Sequence, residues 1–565
     1  MRNFAEENGM SVKVIAGSHV VLLCMNVVEE KIDGLLGFAI ECEDHKKNKK
    51  YWLSGIKTFE EVLSKPVPGS LHPSNIHPIQ AFIWGDYVVE PNNMYTYTIK
   101  PMYGTPTKPK LMKGVSVTVT TMKTEQGIHS IFFNRGNTAS QAFSREFGER
   151  DLEQISDEEF LPWLSRGLNE ALIEFIIQAN SSEFSLRAAV YEFNYLPILE
   201  VFKKVSDLGA DVKIIYDSRK DYPKEKTEEA SKKAKIKTLM TPRKKGESHI
   251  SHNKFIVLLK NNEPIEVWTG STNITKSGLF GQANVGHIVR DKEIAEKYFE
   301  YWQELNKDPE IEDLVEWNYT HTPFPENLSL PKKNSIQVIF SPIKTQTESK
   351  KTIDSLDWYV KLMDKAKETV CLTAAFGICD RVAEIFKKDK PYLRYLLLDK
   401  KDDDIELIKR DKENRIAIAS KLRKTPLSHL LEERALLSRA VKYIHVKYLL
   451  IDPLSADPIV ITGSGNFSKN SARYNDENML IIRGNTNVAD IYLCNFMRLF
   501  NHYFFRQIYN SQSILAERFS YKKYLWRSRY KRYAYLRPDN SWCKQFYMKD
   551  SVRMKERELF SSFSE

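Results

Sequence analysis

The stretch SHNKFIVLLKNNEPIEVWTGSTN, from Ser251 to Asn273, decides the fold of most of this chain. His252 and Lys254 open an apolar run, and Asn273 follows in a turn of small residues. Side chains alternate between the two faces of a β-strand, so the imidazole and the ammonium group share one face. A single pair of this kind is more often a surface feature than a site, so one copy predicts little by itself.

A second copy of the pattern follows later in the chain. IHVKYLLID (Ile444–Asp452) matches SHNKFIVLL, and TGSGNFSKNS matches TGSTNITKSG. His252 and His445 are separated by 193 residues, and so are Asn273 and Asn466. The order strand, helix, strand precedes each copy and indicates βαβ units with helices on the faces of a sheet. The equal spacing predicts a duplicated α/β module rather than two coincidences.

The repeated residues suit the chemistry of a phosphodiester. If the halves pair about a pseudo-twofold axis, two imidazoles, two ammonium groups and two amides converge on one cleft. Lysine and asparagine neutralise and hydrogen-bond the non-bridging oxygens of a phosphate. One histidine attacks phosphorus and the other protonates the leaving oxygen. The set predicts a reaction that requires neither a metal ion nor a cofactor, and the sequence offers no metal-ligand cluster.

The doubled pattern resembles the phospholipase D superfamily, whose motif reads HxKx4D followed by GSxN. The resemblance covers about Ser156 to Arg506 and implies duplicated domains with mixed sheets flanked by helices. The first copy has Leu259 where the motif has Asp, and we expect Leu259→Asp to change activity little. The matching positions are His252, Lys254, Ser271 and Asn273 in the first copy, and His445, Lys447, Asp452, Ser464 and Asn466 in the second.

Two further polar residues stand at matched places. Glu477 lies eleven residues after Asn466, and Asn284 lies eleven residues after Asn273. A carboxylate fixes the tautomer of a histidine and raises its basicity, whereas an amide only orients the ring. This asymmetry is similar to that of tyrosyl-DNA phosphodiesterases and implies His252 as nucleophile and His445 as acid. The residues leave open whether Glu477 supports its own half or the other.

The first part of the chain has a different pattern. From about Ser11 to Phe133, runs such as MYTYTIKPM and GVSVTVTTM alternate polar with apolar residues, as half-buried strands do. We predict an all-β immunoglobulin- or fibronectin-like sandwich ahead of the α/β halves. FIWGDYVVEPNNMYTYTIKPMYG resembles a fibronectin type III module, and we expect Trp84 to lie between its two sheets. Such a module would act as a spacer or as a docking surface for a protein partner. The predicted domains are 1–145, 146–320 and 321–565.

A basic segment near the end of the chain bears on the substrate. SYKKYLWRSRYKRYAYLRP (Ser520–Pro538) interleaves aromatic and basic residues without an acidic one. Its cations could follow a phosphate backbone while its rings stack on bases. The alternative is an amphipathic segment whose rings pack on the second half and whose cations are solvated. The predicted nucleic-acid contacts are Lys522, Lys523, Trp526, Arg527, Arg529, Lys531 and Arg532.

Composition sets the remaining limits. Hydrophobic residues make up 42% and charged residues 28% of the chain, which is typical of a globular protein. No apolar run reaches the roughly 18 residues of a membrane span, so we expect no stable membrane insertion. The six cysteines form no CxxC pair, which favours the reducing cytoplasm. A formal net charge of +10 permits a polyanionic partner.

The predicted function is a metal-independent phosphodiesterase, a nuclease that cleaves DNA or RNA through a phosphohistidine. DNA is the favoured partner. One alternative is a phospholipase D or phosphatidyl transferase that acts on lipids. Another is an inactive module that grips nucleic acid. A role in defence against foreign nucleic acid is implied only by the breadth of the family.

Overall fold

The computed structural model of the protein describes residues 1–67, 70–136, 146–148, 150, 154–246, 249–346, 350–375, 377–401, 404–419, 443–518 and 534–562. The seven residues predicted to contact nucleic acid, from Lys522 to Arg532, all lie outside these ranges. Both interpretations of their segment therefore stay predictions.

The strands and helices fall into three groups along the chain. The first group consists of strands: β1 (Arg2–Glu7), β2 (Met10–Ala16), β3 (Val21–Val27), β4 (Gly37–Asp44), β5 (Lys49–Trp52), β6 (Ser54–Gly55), β7 (His72–Pro73), β8 (Ile83–Asp86), β9 (Met94–Thr105), β10 (Lys108–Leu111) and β11 (Val115–Thr120). The second group mixes strands and helices: β12 (Glu125–Gln126), β13 (His129–Phe133), α1 (Asp157–Ser165), α2 (Leu168–Ile177), β14 (Phe184–Val190), α3 (Leu196–Asp207), β15 (Asp211–Asp217), α4 (Asp221–Lys233), β16 (Met240–Arg243), β17 (Lys254–Lys260), β18 (Glu263–Gly270), β19 (Gln282–Ala283), β20 (Val285–Val289), α5 (Lys292–Asn306) and α6 (Ile311–His321). The third group is built in the same way: β21 (Ser335–Ser341), β22 (Lys344–Gln346), β23 (Thr352–Asp354), α7 (Ser355–Asp364), β24 (Thr369–Ala374), α8 (Asp380–Lys387), β25 (Leu393–Leu398), α9 (Ile405–Ile408), β26 (Asn414–Ile418), β27 (Tyr443–Ile444), β28 (Tyr448–Ile451), β29 (Ile459–Gly463), α10 (Lys469–Arg473), β30 (Glu477–Arg483), α11 (Thr486–Arg518) and α12 (Val552–Ser561).

The predicted duplication is confirmed by two mixed sheets with the same strand order. The first half has the order β13-β20-β18-β17-β14-β15-β16, with β12 at its edge, and the second has β21-β30-β29-β28-β24-β25-β26. In each sheet the three βαβ strands run parallel, and the strand after the His-x-Lys sequence joins them antiparallel. The continuous apolar runs of these strands suit sheets that are covered on both faces.

The two halves join at the places where the functional residues lie. Short parallel pairings connect β19 of the first half to β27 of the second, and Ser251 to Asp476. Helix α5 packs Tyr298 and Tyr301 into an apolar cluster that both sheets share, where Phe340 and Leu480 come from the second half. This shared burial fixes the two halves against each other and therefore shapes the cleft between them.

Nine of the N-terminal strands form two antiparallel sheets, in the orders β1-β2-β3-β8 and β10-β9-β4-β5 with β11 on β9, while β6 and β7 pair separately. The arrangement is compatible with the predicted β-sandwich. The core between the sheets contains Phe38, Tyr97 and Phe82, all buried. Trp84 was predicted to lie between the sheets, but it is only partly buried and packs against this core. The fibronectin resemblance stays a prediction.

The limits of the halves differ from the predicted boundaries in two places. The chain enters the first mixed sheet at Glu125, about twenty residues before position 145, because β12 and β13 pair with that sheet. At the other end, residues 534–562 return to the N-terminal sheets. Trp542 and Cys543 pack on the sandwich core, and the Trp542 indole donates to Leu35 O at 2.9 Å. The last residues thus stabilise the first domain.

Candidate active site

The two histidines lie at matched positions where the halves meet. His252 shortly precedes β17, and its backbone N–H donates to Asp476 O at 2.8 Å. His445 shortly precedes β28, and its backbone N–H donates to Ala283 O at 3.0 Å. Each histidine is thus anchored on the backbone of the opposite half, next to the residue that supports its ring.

Lys254 is the first residue of β17, and Lys447 is the residue just before β28. Each ammonium group donates to the carbonyl of its own histidine, Lys254 to His252 O at 2.7 Å and Lys447 to His445 O at 2.6 Å. The alternation of a strand keeps each lysine on the face of its histidine, as the sequence predicts. Only 3% of Lys254 and none of Lys447 is exposed, so both side chains are buried where the two halves meet.

Each imidazole is held through Nδ1 by a side chain of the other half. Glu477 Oε2 lies 3.2 Å from His252 Nδ1, and Asn284 Oδ1 lies 2.9 Å from His445 Nδ1. The carbonyl of Ser271 is also 3.1 Å from His445 Nδ1. A proton on Nδ1 satisfies these acceptors and leaves the lone pair on Nε2. Glu477 therefore reaches across the cleft, which answers the question that the sequence left open.

The two supporting residues are themselves fixed by hydrogen bonds. Glu477 Oε1 accepts from Ser471 Oγ at 2.7 Å and from Asn475 Nδ2 at 3.2 Å. The Asn284 amide donates through Nδ2 to Gly278 O at 2.8 Å, and its Oδ1 accepts from Ser271 Oγ at 2.8 Å. The donor contact of Nδ2 turns Oδ1 toward the ring of His445. Both supports are thus oriented before any substrate binds.

Burial and like charge shift the titration of these groups. Burial, followed by the ammonium groups of Lys254 and Lys447, holds the pKa of His252 well below its usual range, and His445 has a lowered pKa for the same reasons. Burial lowers the pKa of Lys254 to about 7, and the carboxylate of Glu477 partly opposes this effect. Burial raises the pKa of Glu477 to about 7. The site therefore changes its protonation close to neutral pH.

The predicted asparagines and serines lie in the turns after β18 and β29. Asn273 Nδ2 donates to the carboxylate of Glu192, while Asn466 N donates to Ser471 Oγ at 2.9 Å. The Ser464 hydroxyl accepts from Asn478 N at 3.0 Å and therefore ties its turn to β30. Asn273 is buried, and a short π-helix, Ser277–Gly281, follows its turn along the chain. The serines shape the turns, and the asparagine side chains lie at the ends of the strands.

Asp452 lies at the far end of its strand from His445. Its carboxylate accepts from the backbone N–H groups of Lys367, Glu368 and Thr369 at 2.7–3.2 Å and so fixes the start of β24. In the first half, Leu259 is 2% exposed and belongs to the apolar cluster around α5. The departure from the motif thus exchanges a polar turn contact for apolar packing, at a place remote from both imidazoles.

Sequence reasoning missed a matched pair of aspartates. Asp217 ends β15 and accepts from Ser251 N at 2.7 Å, while Asp399, just after β25, accepts from Ile444 N at 3.3 Å. Each aspartate thus holds the residue that precedes a histidine. Burial raises the pKa of Asp217 to about 6. The signal was present in the sequence, because both βαβ units end on Asp in DVKIIYD and LRYLLLD.

A buried ion-pair network also lies beneath the cleft. Asp476, which precedes Glu477, pairs with Arg219 at 2.8 Å and with Arg243 at 3.1 Å, and the side chains of all three are fully buried. Removing one partner would leave an uncompensated buried charge, which is strongly destabilising. The aromatic ring of Tyr191 lies with its centroid 5.0 Å from that of His252 and so packs against the first imidazole.

One group of acidic residues among those described could hold a metal ion, and it lies outside the cleft. Asp389, Asp411 and Glu413 place carboxylate oxygens within 4.8 Å of one another. Asp411 pairs with Arg394 at 2.5 Å, and Glu413 pairs with Lys555. These ion pairs account for the positions of the Asp411 and Glu413 carboxylates without a metal.

Comparison with known proteins agrees with the duplicated fold. The family described as cardiolipin synthase, PLD-like domain matches residues 173–306 and 359–500. No curated protein matches the sequence. The chain therefore carries a phospholipase D-like domain in two repeats, as the resemblance of the sequence implied. Proteins with this domain are phosphodiesterases or transferases.

Three solved structures are similar to parts of the chain. A phosphatidylserine synthase from Haemophilus influenzae is 11% identical, with a TM-score of 0.40, over 64% of this chain and 92% of its own. The yeast tyrosyl-DNA phosphodiesterase is 11% identical, with a TM-score of 0.31, over 54% of this chain and 83% of its own. A polyphosphate kinase from Porphyromonas gingivalis is 9% identical, with a TM-score of 0.36, over 63% of this chain. The match covers only 47% of the length of the kinase. These likenesses do not distinguish nucleic acid from lipid as the substrate.

Over the described part of the chain, no helix combines the length and the apolar composition needed to cross a membrane. The six cysteines are free thiols.

Proposed function

We propose that the protein is a metal-independent phosphodiesterase that cleaves nucleic acid through a phosphohistidine on His252. The observation that carries the proposal is the reciprocal support of the two imidazoles, with a carboxylate on His252 and an amide on His445. A carboxylate stabilises the positive charge that develops on an attacking imidazole, and an amide does so far less. His252 is therefore the stronger nucleophile of the pair.

The reaction proceeds in two displacements. In the first, His252 Nε2 attacks phosphorus, the bond to the leaving oxygen breaks, and His445, which enters this step as an imidazolium, gives that oxygen the proton on its Nε2. In the second, water attacks the phosphohistidine, His445 takes a proton from the water, and the N–P bond breaks. Lys254, Lys447, Asn273 and Asn466 neutralise and hydrogen-bond the non-bridging oxygens, whose charge grows in both transition states.

Nucleic acid as the substrate is supported by aromatic and basic residues next to the cleft. His249 stacks on Tyr474, with the ring centroids 4.6 Å apart and the planes inclined by 12°. Lys344 Nζ lies 5.9 Å from the centre of the same tyrosine ring. His249 lies three residues before His252, and Tyr474 lies three residues before Glu477. The side chains of His249 and Tyr474 are both partly exposed. Exposed rings beside cations suit bases stacked along a phosphate backbone.

The first experiment is an activity panel in the presence of EDTA. Purified full-length protein is incubated with single-stranded DNA, duplex DNA, RNA and phosphatidylglycerol vesicles. We expect cleavage of a polynucleotide that survives chelation. Cleavage of the lipid alone would contradict the nuclease proposal in favour of the phospholipase alternative, and activity restored only by magnesium would contradict the metal-independent mechanism.

The second experiment locates the covalent intermediate. His445→Asn lacks the group that activates water, so we expect it to accumulate a phosphoryl adduct on His252, detected by intact-mass and peptide mass spectrometry. His321→Asn is the matched control, because His321 is exposed and stacks on Trp317 away from the cleft. An adduct on a different histidine would overturn the assignment of the nucleophile.

A further inference from the structure

Five basic side chains meet where the N-terminal sheets, the first half and α11 join. His19 lies in the turn between β2 and β3, Arg135 follows β13, and Arg166 lies between α1 and α2. Arg498 and His502 lie on α11. We refer to these five residues as the cationic junction. Each of them is partly exposed.

Backbone contacts hold the guanidinium groups together. Arg166 Nη2 donates to His19 O at 2.6 Å, Arg135 Nε to Trp163 O at 2.7 Å, and Arg498 Nη1 to Arg135 O at 3.2 Å. Among the described residues, no carboxylate accepts a hydrogen bond from Arg135 or Arg166. The contacts thus fix the positions of these two arginines without neutralising their charges.

The charges of the junction act on one another. Burial lowers the pKa of Arg166, and the nearby charges of Arg498 and Arg135 lower it further. Burial lowers the pKa of Arg135 to about 10, to which Arg498 contributes, and the carboxylate of Glu146 opposes the change. A guanidinium nevertheless stays charged at neutral pH. The junction therefore holds like charges close together in a partly dehydrated place, which costs free energy.

Arg166 and His502 of the junction each have a buried polar side-chain atom that is unsatisfied among the described residues. Arg166 Nε and His502 Nε2 have no hydrogen-bond partner within the part of the chain that the structure describes. A buried polar atom without a partner has lost its hydration and gained nothing in return, so it destabilises the fold. Such a group in a folded protein requires an explanation, and a bound ligand is one.

Buried arginines elsewhere in the described chain have acidic partners. Arg243 pairs with Asp308 at 2.6 Å and with Asp476, Arg394 pairs with Asp411 at 2.5 Å, and Arg187 pairs with Asp211 at 2.5 Å. The fold thus normally supplies an aspartate to a buried guanidinium. For Arg135 and Arg166 it supplies carbonyl oxygens, which leaves their charge to be met by an anion from outside the described chain.

We propose that the cationic junction binds a phosphate-bearing anion, which accepts hydrogen bonds from the guanidinium groups of Arg135 and Arg166. Guanidinium forks match the oxygens of a phosphate in geometry and charge. The phosphate comes either from a free small anion or from the backbone of a polynucleotide. A polynucleotide backbone is supported by the position of the junction, which lies close to the catalytic cleft. Asn134, next to Arg135, accepts a hydrogen bond from the backbone N–H of Asn284 at 2.9 Å, and Asn284 supports the ring of His445.

The test is calorimetric titration of the full-length protein with sodium pyrophosphate at constant ionic strength. We expect saturable binding that Arg166→Gln weakens roughly tenfold or more, because a charged hydrogen-bond donor is lost. Arg410→Gln is the matched control, since Arg410 is exposed on the turn after α9, and it should leave binding unchanged. Equal binding by wild type and Arg166→Gln would overturn the proposal, and so would absent pyrophosphate binding together with an oligonucleotide affinity that the variants leave unchanged.

Thermal unfolding provides a second measure that does not depend on calorimetry. Without pyrophosphate, Arg166→Gln should unfold at a higher temperature than wild type, because one of several repelling charges is gone. With pyrophosphate, wild type should gain the larger increase in Tm. Loss of stability in the variant under both conditions, with no increase for wild type, would contradict an anion site.

A third measurement separates the two sources of phosphate. The affinity for a fluorescent single-stranded oligonucleotide is measured by anisotropy for wild type, Arg166→Gln and Arg135→Gln. Weakening by roughly tenfold in both variants assigns the junction to a polynucleotide backbone, whereas unchanged affinity together with pyrophosphate binding assigns it to a free small anion. Both outcomes support a phosphate site, and failure of both the pyrophosphate and the oligonucleotide measurements overturns it.

Discussion

Replacing Glu477 by glutamine isolates the feature on which the proposed mechanism depends. The substitution retains the shape of the side chain and removes its charge. Glu477 Oε2 lies 3.2 Å from His252 Nδ1. The change therefore converts a carboxylate support into an amide support, which is the type of support that Asn284 gives to His445.

The magnitude follows from this distance. At an effective dielectric constant of about 20, a full carboxylate charge 3.2 Å from an imidazolium stabilises it by about 5 kcal/mol. The pKa of Glu477 is about 7, so the carboxylate carries only part of that charge at neutral pH. Hydrogen bonds from Ser471 and Asn475 also spread the charge. We expect roughly half of the full value to be lost, which corresponds to a decrease in kcat of about 10²-fold.

The assay is single-turnover hydrolysis of bis-p-nitrophenyl phosphate at pH 7, a small substrate that needs only the two imidazoles and their neighbours. Glu266→Gln is the matched control, because Glu266 is a buried carboxylate that pairs with Arg290 at 3.0 Å outside the cleft. Circular dichroism and urea unfolding establish that both variants are folded. A folded Glu477→Gln variant with a kcat within about threefold of wild type would refute the role of the carboxylate.

Three further predictions follow from the burial of single residues. The kcat/KM of wild type should pass through a maximum near pH 7, because ionisation of Glu477, with a pKa of about 7, strengthens the nucleophile while deprotonation of Lys254, also with a pKa of about 7, removes charge that offsets the phosphate; a profile that stays flat to pH 9 would contradict this. Leu259→Asp, which the sequence predicts to change activity little, should lower the free energy of unfolding in urea by about 4 kcal/mol or more, because it places a carboxylate in an apolar cluster. Leu259→Met should cost less than about 1.5 kcal/mol, and equal stability of the two variants would argue against burial. Trp542→Ala should lower stability by about 2 kcal/mol or more while the turnover of bis-p-nitrophenyl phosphate is retained; lost turnover at unchanged stability would contradict the packing role.

The sequence predicted the local parts of the site because they are written within single strands and turns. The alternation of a strand puts His252 beside Lys254 and His445 beside Lys447, whatever the rest of the chain does. The equal spacing of the two copies predicted the duplication, and the matching order of the two mixed sheets confirms it. The burial of Leu259 also had a local signal, because KFIVLLK is a continuous apolar run without alternation.

The boundary of the first domain could not be read in the same way. Strands of the N-terminal sheets and β13 have similar local patterns, and nothing in an alternating run states which sheet it will join. β13 pairs with β20, which lies more than a hundred residues away along the chain. The return of Trp542 to the first domain is likewise a contact between distant parts of the chain.

The sequence by itself thus determined the types of functional group, their faces and their duplication, because these depend on neighbours within a few residues. Only the tertiary structure decided which support serves which histidine. Glu477 is 32 residues from His445 in its own half and 225 residues from His252, yet it is His252 that it contacts. The physical reason is the pairing of Ser251 with Asp476 across the two halves, which brings the start of β30 beside the first histidine.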